Sequence, residues 1–191
     1  MNVSSKAIIV LAGAALSLAA APPLGQLKLT PESKVWVSGN STVKDFRCTA
    51  KTLDANVAAP SNETASLEVT KLVSAADVVI TVEQLDCGNG TMNEHMRKAL
   101  NAKQFPRIEF KMSSYEIVKG DVTVKGDLTI NGQSRAVELV GKVAEEDGVV
   151  RSSATRQINM TEWGVKPPSL MMGTMKVKPV VTIGYDIAIK R

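Results

Sequence analysis

The stretch Leu85–Met112, LDCGNGTMNEHMRKALNAKQFPRIEFKM, contains the local signals that decide the fold. A mostly apolar face recurs at helical spacing in its first half and predicts an amphipathic helix; its members are Met92, His95, Met96, Ala99 and Leu100. Thr91 and Glu94 match a capping box, so we expect Thr91 to cap this helix. Pro106 ends the helix, because proline has no backbone N–H to continue it.

The residues that follow Pro106 alternate with a period of two. Ile108, Phe110 and Met112 are apolar and are separated by charged residues, which is typical of a strand with one wet face. Similar runs predict further strands over residues 34–39, 44–51, 66–70, 77–83, 115–118, 121–130, 136–143, 149–158 and 177–189. Many short strands with a single helix favour an all-β antiparallel sandwich or barrel.

Three dipeptides predict two-residue hairpin turns between these strands. Asn131-Gly132 and Asp147-Gly148 are strong signals, and Lys119-Gly120 is a weaker one. Gly126 interrupts an otherwise regular strand and predicts a bend or a close backbone approach.

The C-terminal part contains two irregular features. Residues 164–175, GVKPPSLMMGTM, fit neither period and contain two prolines, so they are interpreted as an apolar loop. Pro179 lies within the last predicted strand and indicates a sheet edge or a strand start, because proline cannot donate to a ladder.

The N-terminal residues have the pattern of a targeting segment. Lys6 precedes an uncharged apolar run that ends in small residues at Ala21, so residues 1–21 are interpreted as a secretory signal peptide. The run is too short for a membrane span, although an uncleaved N-terminal anchor is the alternative. Residues 22–32 then form a lead-in segment, and residues 33–191 form one domain. The expected location is the periplasm or the extracellular medium.

Composition narrows the classes of function. The net charge of +4 comes from interspersed charges, and aromatic residues make up 4% of the chain. Neither a basic stripe nor stacking aromatics are evident, so we do not expect nucleic-acid binding.

The chain has two cysteines, Cys48 and Cys87. An even number of cysteines in an exported protein favours a disulfide between them, with buried free thiols as the alternative. Together with one histidine they do not make a zinc set, so no metal site is predicted.

No catalytic constellation is visible in the sequence. His95 is the single histidine and has no partner acid, base or nucleophile in a recognisable motif. We therefore expect His95 to be a structural residue on the inner face of the helix. No nucleophile elbow or phosphate-binding glycine loop is present, so we predict neither a catalytic residue nor a cofactor.

Several landmarks then occur in a characteristic order: WVSGNS at 36–41, FRC at 46–48, CGN at 87–89, FPRIEF at 105–110, GDLTING at 126–132 and WG at 163–164. In these landmarks the chain resembles the YceI-like family of exported lipid- and polyisoprenoid-binding proteins, over nearly the whole mature chain. It departs from many members in lacking histidine within residues 40–46.

The resemblance implies a lipocalin-like antiparallel β-barrel of about eight strands, with the short helix placed across it. A barrel of this size has room for one ligand. The implied ligand is a long apolar amphiphile, such as a polyisoprenoid, an isoprenoid quinone or a fatty acid derivative. The resemblance also allows for a homodimer.

Alternation along the strands predicts which side chains face the lumen. The candidates are Phe46, Leu67, Val69, Ile108, Phe110, Met112, Val122, Val124, Leu128, Ile130, Val137 and Leu139. Met171 and Met172 are the candidates for a portal or lid, and Arg97, Arg107, Arg135 and Lys176 are candidates for contact with a polar head group.

The same alternation would arise in a barrel with a filled core. A structural or interaction module without a ligand is therefore a second hypothesis. An enzyme that acts on an envelope lipid or sugar is a third and weaker one.

Overall fold

A computed structural model describes residues 26–60 and 69–190. The predicted signal peptide and the predicted lumen residue Leu67 lie outside these residues. In the described part, the strands are β1 Gln26–Leu27, β2 Lys34–Ser41, β3 Asp45–Ala50, β4 Asp54–Ala58, β5 Ala75–Thr81, β6 Leu85–Asp86, β7 Arg107–Val118, β8 Asp121–Ile130, β9 Gln133–Glu146, β10 Val149–Asn159, β11 Ser169–Leu170 and β12 Met175–Lys190. One α-helix, α1, spans Gly90–Ala99, and short 3-10 turns cover Val69–Lys71, Val82–Gln84, Met160–Trp163 and Met171–Gly173.

The strands form one antiparallel sheet that curls into a half-barrel. Its order is β1-β4-β5-β7-β8-β9-β10-β12-β2-β3-β6, and β11 pairs with β12. Residues 51–53 link β3 to β4 across the two sides of the sheet, and Val82–Gln84 links β5 to β6, which pairs with β3. The described strands at the two ends of this order form no ladder with each other, and these two chain segments connect them instead. The predicted all-β, lipocalin-like architecture with one short helix is confirmed, with nine strands longer than two residues.

The three predicted hairpin turns join consecutive strands from β7 to β10. Lys119, Asn131 and Asp147 each have positive φ, as do the glycines that follow them. Positive φ at both central residues is the type I′ geometry, whose twist matches that of the flanking strands. These turn predictions are confirmed.

Gly126 lies opposite a bulge in β7, where the register slips between Met112 and Ser114. A Cβ at position 126 would overlap the carbonyl oxygen of Lys111 and the ring of Phe110. The predicted close approach is therefore present, and glycine is required because the backbone and the ring occupy the space of a side chain.

Pro179 does not lie on an edge strand, so the first alternative is wrong, but the second holds on one side, because the ladder between β12 and β10 starts at the next residue, Val180. Pro179 lies inside β12, between β10 and β2 in the sheet. The ladder with β2 slips between Val177 and Val181. Residue 179 is therefore paired in neither ladder, so the missing N–H of proline costs the sheet no hydrogen bond.

Other boundaries also differ from the sequence prediction. The sequence DANVA of β4 was not predicted as a strand, because its alanines and short length give no clear alternation. The predicted strand over 66–70 is a 3-10 turn from Val69 onward. The predicted lead-in contributes β1 and a bridge between Leu29 and Ile189, so the sheet includes it from Gln26 on.

One side of the half-barrel has a packed core around Trp163. This core contains Val122, Val124, Leu128, Ile130, Val137, Leu139, Ala154, Ile158, Trp163, Val165 and Val181. The indole Nε1 of Trp163 donates to the carbonyl oxygen of Leu128 at 3.0 Å, and the Trp163 carbonyl accepts from Asn131 Nδ2 at 3.1 Å. The 3-10 turn is thereby fixed to β8 and to the β8–β9 turn.

Replacing Trp163 with alanine should destabilise the protein by about 3–5 kcal/mol, because it removes a buried ring and leaves a cavity. Trp163→Phe should cost less, since it keeps most of the ring and loses the hydrogen bond to Leu128. Urea unfolding followed by circular dichroism measures both changes. Equal stability of the wild type and Trp163→Ala would contradict this account of the core.

Candidate functional site

The half-barrel encloses an apolar cavity of about 870 Å³. Its walls are the inward faces of the long strands, which follow directly from the period of two along each strand. Examples are Ile108, Phe110, Met112, Tyr115 and Ile117 from β7, and Val177, Val181, Ile183, Tyr185, Ile187 and Ile189 from β12.

Most of the predicted lumen residues line this cavity. They are Phe46, Val69, Ile108, Phe110, Met112, Val122, Val124, Leu128, Ile130 and Leu139. Val137 is buried in the core around Trp163 but does not contribute to the cavity wall. Met172, a predicted portal residue, has a relative exposure of 105% and faces solvent. The side chain of Met171 is not described.

Helix α1 covers part of the cavity with the apolar face that its spacing predicts. The lining residues from this helix include Met92, His95, Met96, Ala99 and the following Leu100.

The helix begins earlier than expected. Its N-cap is Asn89, whose Oδ1 accepts from Met92 N at 3.1 Å, so the prediction of Thr91 as the cap is wrong. Asn is as good a cap as Thr, and the capping-box pattern pointed two residues too far.

The start of α1 is attached to the sheet by the disulfide between Cys48 and Cys87, which confirms the predicted pairing. Cys48 belongs to β3, and Cys87 lies between β6 and the helix. Closing a loop of 39 residues stabilises the fold by about 3–4 kcal/mol on the chain-entropy account. Both cysteines line the cavity, so the cross-link is part of its wall.

Asp86 and Asn93 form a hydrogen-bond network beside this disulfide. Asp86 Oδ1 accepts from Asn93 Nδ2 and from Gly88 N, both at 2.9 Å, and Asn93 Oδ1 accepts from Cys87 N at 2.8 Å. Lys51 Nζ lies 3.1 Å from Asp86 Oδ2. The bonds from Asn93 and Gly88, together with Lys51, lower the pKa of Asp86 from 3.8 to about 2, because they stabilise its ionised form.

The second half of α1 is held by separate contacts. Arg97 Nε lies 2.8 Å from Glu83 Oε2, and Arg97 Nη2 donates to the Glu83 carbonyl at 3.3 Å. Asn101, just beyond the helix, donates through Nδ2 to Asn131 Oδ1 at 2.9 Å. Contacts at both ends therefore fix the helix over the cavity.

From the exposure of its lining residues, we infer that the cavity reaches solvent at the start of α1 and at the β2–β3 turn. Of the described residues that line it, Lys44, Asn89 and Thr91 are the exposed ones. Lys44 belongs to the β2–β3 turn, and His95 lies one helical turn further in than Thr91. We call the opening between these residues the mouth.

The predicted head-group cations do not line the cavity. Arg97 pairs with Glu83, and Arg107 lies 3.0 Å from Glu109 Oε1. Arg135 donates to the Glu162 carbonyl, and Lys176 is exposed outside the cavity. Lys44 was missed because a lysine in a turn looks like any solvated residue. Its place in the same cavity lining as α1 depends on the fold, which brings together segments that are distant in sequence.

Two tyrosines supply polar groups within the apolar wall. Tyr185 Oη lies 3.2 Å from Ser152 Oγ, and Tyr115 Oη accepts from Val73 N at 3.2 Å. Both phenols keep their hydroxyl proton at neutral pH, because the ordinary pKa of tyrosine is 10.0 and burial raises the pKa of both further, so each is able to hydrogen-bond inside the cavity.

The described part of the chain contains no group of three or more His, Cys, Asp or Glu side chains arranged to hold a metal ion. None of its helices has the length and apolar character needed to cross a membrane.

Comparisons with known proteins agree on the fold. Residues 30–189 match the family model described as the YceI-like domain. BcnA from Burkholderia cenocepacia is similar, with a TM-score of 0.70 and 19% identity over 84% of this chain and 99% of that chain. The YCEI protein of Campylobacter jejuni has a TM-score of 0.57 and 18% identity, over 95% and 99% of the two chains.

A polyisoprenoid binding domain from Saccharophagus degradans, implicated in plant cell wall breakdown, has a TM-score of 0.60. It is 11% identical over 86% of this chain and 97% of that chain. No functionally curated protein matches this chain significantly. Identities this low show a shared fold.

The lowered pKa of Asp86 predicts a pH-dependent contribution to stability. The ionised carboxylate stabilises the fold above the unfolded pKa of 3.8, and this contribution is lost as the pH falls through the folded pKa of about 2. Asp86→Asn should therefore lower Tm at neutral pH, and the difference from the wild type should shrink as the pH falls from 4 to 2.

Thermal unfolding at a series of pH values measures this difference. Asp127→Asn, a change of an exposed carboxylate on β8, is the matched control and should behave like the wild type. A difference between Asp86→Asn and the wild type that is constant with pH would contradict the assignment.

Proposed function

This chain belongs to the YceI-like family, and from this premise we propose that it binds a long apolar amphiphile in its cavity without changing it chemically. The proposed ligand class comprises polyisoprenoids, isoprenoid quinones and fatty acid derivatives. The proposed location is the periplasm or the extracellular medium. The disulfide supports this location, because disulfides persist in oxidising compartments.

The apolar cavity of about 870 Å³ is the observation that carries this proposal. Protein interiors are normally close-packed, with few voids larger than a water molecule. Water gains little in a cavity with so few polar partners. A cavity of this size falls within the range of small-molecule sites, so it favours an apolar occupant over a packed module without a ligand.

Burial of the ligand chain would supply the binding free energy. Each methylene that leaves water contributes about 0.8 kcal/mol, before the costs of ordering and association are subtracted. Five methionines line the cavity: Met92, Met96, Met112, Met160 and Met175. Their flexible thioethers adapt to irregular shapes, which suits chains of differing length or branching.

We place the tail of the amphiphile inside the cavity and its polar head at the mouth. The strand-lined interior is almost entirely apolar, whereas Lys44, Asn89 and Thr91 are polar and exposed at the mouth. The Lys44 ammonium would form a charge-assisted hydrogen bond with a carboxylate or phosphate head. A neutral quinone or alcohol head would instead use Asn89, Thr91 or His95.

The Saccharophagus degradans domain, described as polyisoprenoid binding, supports an isoprenoid within this ligand class. Catalysis is not part of the proposal. The apolar wall suffices to hold the tail of the ligand, and the polar residues at the mouth suffice to hold its head, so the proposal needs no reacting group.

Native mass spectrometry of the full chain, purified after export in its own envelope, tests the proposal directly. We expect a stoichiometric mass above that of the bare protein, which solvent extraction releases as an isoprenoid or fatty amphiphile. Protein that stays free of ligand after incubation with such amphiphiles would contradict the proposal.

Ile130→Arg should reduce ligand loading by about tenfold or more, because an unpaired guanidinium in an apolar cavity is costly and occupies ligand space. Val140→Arg is the matched control, since Val140 is exposed on the same hairpin. Met112→Trp is a second variant that fills the cavity without adding charge, in case Ile130→Arg does not fold.

Loading is measured by native mass spectrometry, and folding is checked by circular dichroism. If folded Ile130→Arg and Met112→Trp both load as much ligand as Val140→Arg, the cavity is not the binding site.

A further inference from the structure

Two segments beside the mouth are joined into one rim. Thr42, in the β2–β3 turn, donates from Oγ1 to the Thr174 carbonyl at 2.9 Å and accepts at Oγ1 from Lys176 N at 3.1 Å. Thr42 N also donates to the Lys176 carbonyl at 2.9 Å. We define the rim as residues 42–44 together with residues 172–178. Lys44, Met175 and Val177 of the rim also line the cavity, so the rim borders the mouth.

Two apolar side chains of the rim point into solvent. Val43 is 62% exposed, and Met172 is 105% exposed. Met172 also has a φ of 54°, in the left-handed region that non-glycine residues adopt at a cost. Because Thr42 joins the two segments that carry them, Val43 and Met172 belong to one surface, and exposed apolar side chains on one surface beside a cavity favour a contact site.

Lysines surround these apolar tips. Lys44, Lys176 and Lys178 are exposed rim residues, and Lys166 lies in the adjoining loop. None of the four forms an ion pair with another described residue. Residues 163–179 contain no acidic residue, and Asp45 is the acidic residue next to the β2–β3 turn. The surface beside the mouth is therefore both apolar and positively charged.

We propose that this rim docks the mouth onto an anionic lipid bilayer, so that the amphiphile passes between bilayer and cavity without crossing water. The transfer part of this inference rests on the proposed function, whereas the docking part rests on the rim alone. A lipid surface fits the rim because apolar tips insert at the boundary between head groups and acyl chains. The lysines complement the negative charge of the lipid phosphates, and their aliphatic stems can lie along the apolar layer.

Flotation with lipid vesicles tests the docking with the full chain and without added amphiphile. The probes are vesicles of phosphatidylcholine alone and vesicles that also contain phosphatidylglycerol. We expect the protein to float with the anionic vesicles at low salt and much less with the neutral ones. Binding should weaken as salt is added, because salt screens the lysines.

Rim variants separate the apolar and the charged contributions. Val43→Ser combined with Met172→Ser should lower vesicle affinity by about tenfold or more, because both apolar tips are lost. Lys176→Gln combined with Lys178→Gln should lower it by about fivefold or more at low salt.

Matched controls change exposed apolar residues and lysines elsewhere. Val118→Ser combined with Val140→Ser changes two exposed valines away from the mouth. Lys34→Gln combined with Lys190→Gln changes two lysines that lie at the ends of β2 and β12 farthest from the rim. Both control variants should bind anionic vesicles like the wild type.

Failure of the wild type to bind anionic vesicles would overturn the docking proposal. The same conclusion would follow if the rim variants bound as well as the controls. Ligand loading, measured on the same proteins by native mass spectrometry, keeps the two proposals apart. Loading without docking overturns the rim inference alone. Docking without loading overturns the proposed function and the transfer that rests on it, and leaves the docking itself standing.

Discussion

The attachment of α1 to the edge of the sheet is the constraint on which the cavity depends. The described strands do not close their ladder beside β3, so the segment from β6 through α1 has to cover that side. The disulfide between Cys48 and Cys87 ties this segment to β3, and the network of Asp86 and Asn93 sets the start of the helix. The pair of Arg97 and Glu83 holds the second half. Without these contacts the apolar face of the helix would have no fixed partner.

Composition explains why the sheet surrounds a cavity rather than a filled core. Aromatic residues make up 4% of the chain, so few large rings are available to span the interior. Trp163 fills one side, where it packs with β8, β9, β10 and β12. The rest of the cavity wall consists mostly of valine, isoleucine, leucine and methionine, with rings such as Phe46, Phe110 and Tyr185 among them, and these side chains leave the middle of the half-barrel open. The curvature of the sheet and the small size of most of these side chains thus create the cavity together.

The polar features lie where an amphiphile would need them. The wall is apolar, whereas Lys44, Asn89 and Thr91 stand at the mouth. The rim beside them combines exposed apolar side chains with lysines that have no described acidic partner. A cavity for an amphiphile and a surface for a bilayer therefore share the β2–β3 turn. Because the mouth and the rim are adjacent, a single contact with a membrane would allow the amphiphile both to enter the cavity and to leave it.

The sequence by itself determined the features that depend on neighbouring residues: the strand periodicity, the two-residue hairpin turns and the apolar face of α1. The even number of cysteines favoured the disulfide, and the structure decided between it and free thiols. Most of the lumen residues that alternation predicted, including Phe110 and Leu128, line the cavity, because alternation shows which side chains share a face. Tertiary structure decided the rest. Alternation reports the inward face but not the distance across the barrel, so it could neither distinguish a cavity from a filled core nor show that Val137 packs beside Trp163. The interior position of Pro179, the outward direction of Met172 and the place of Lys44 at the mouth depend on strand register and on contacts between distant segments, which no local pattern encodes.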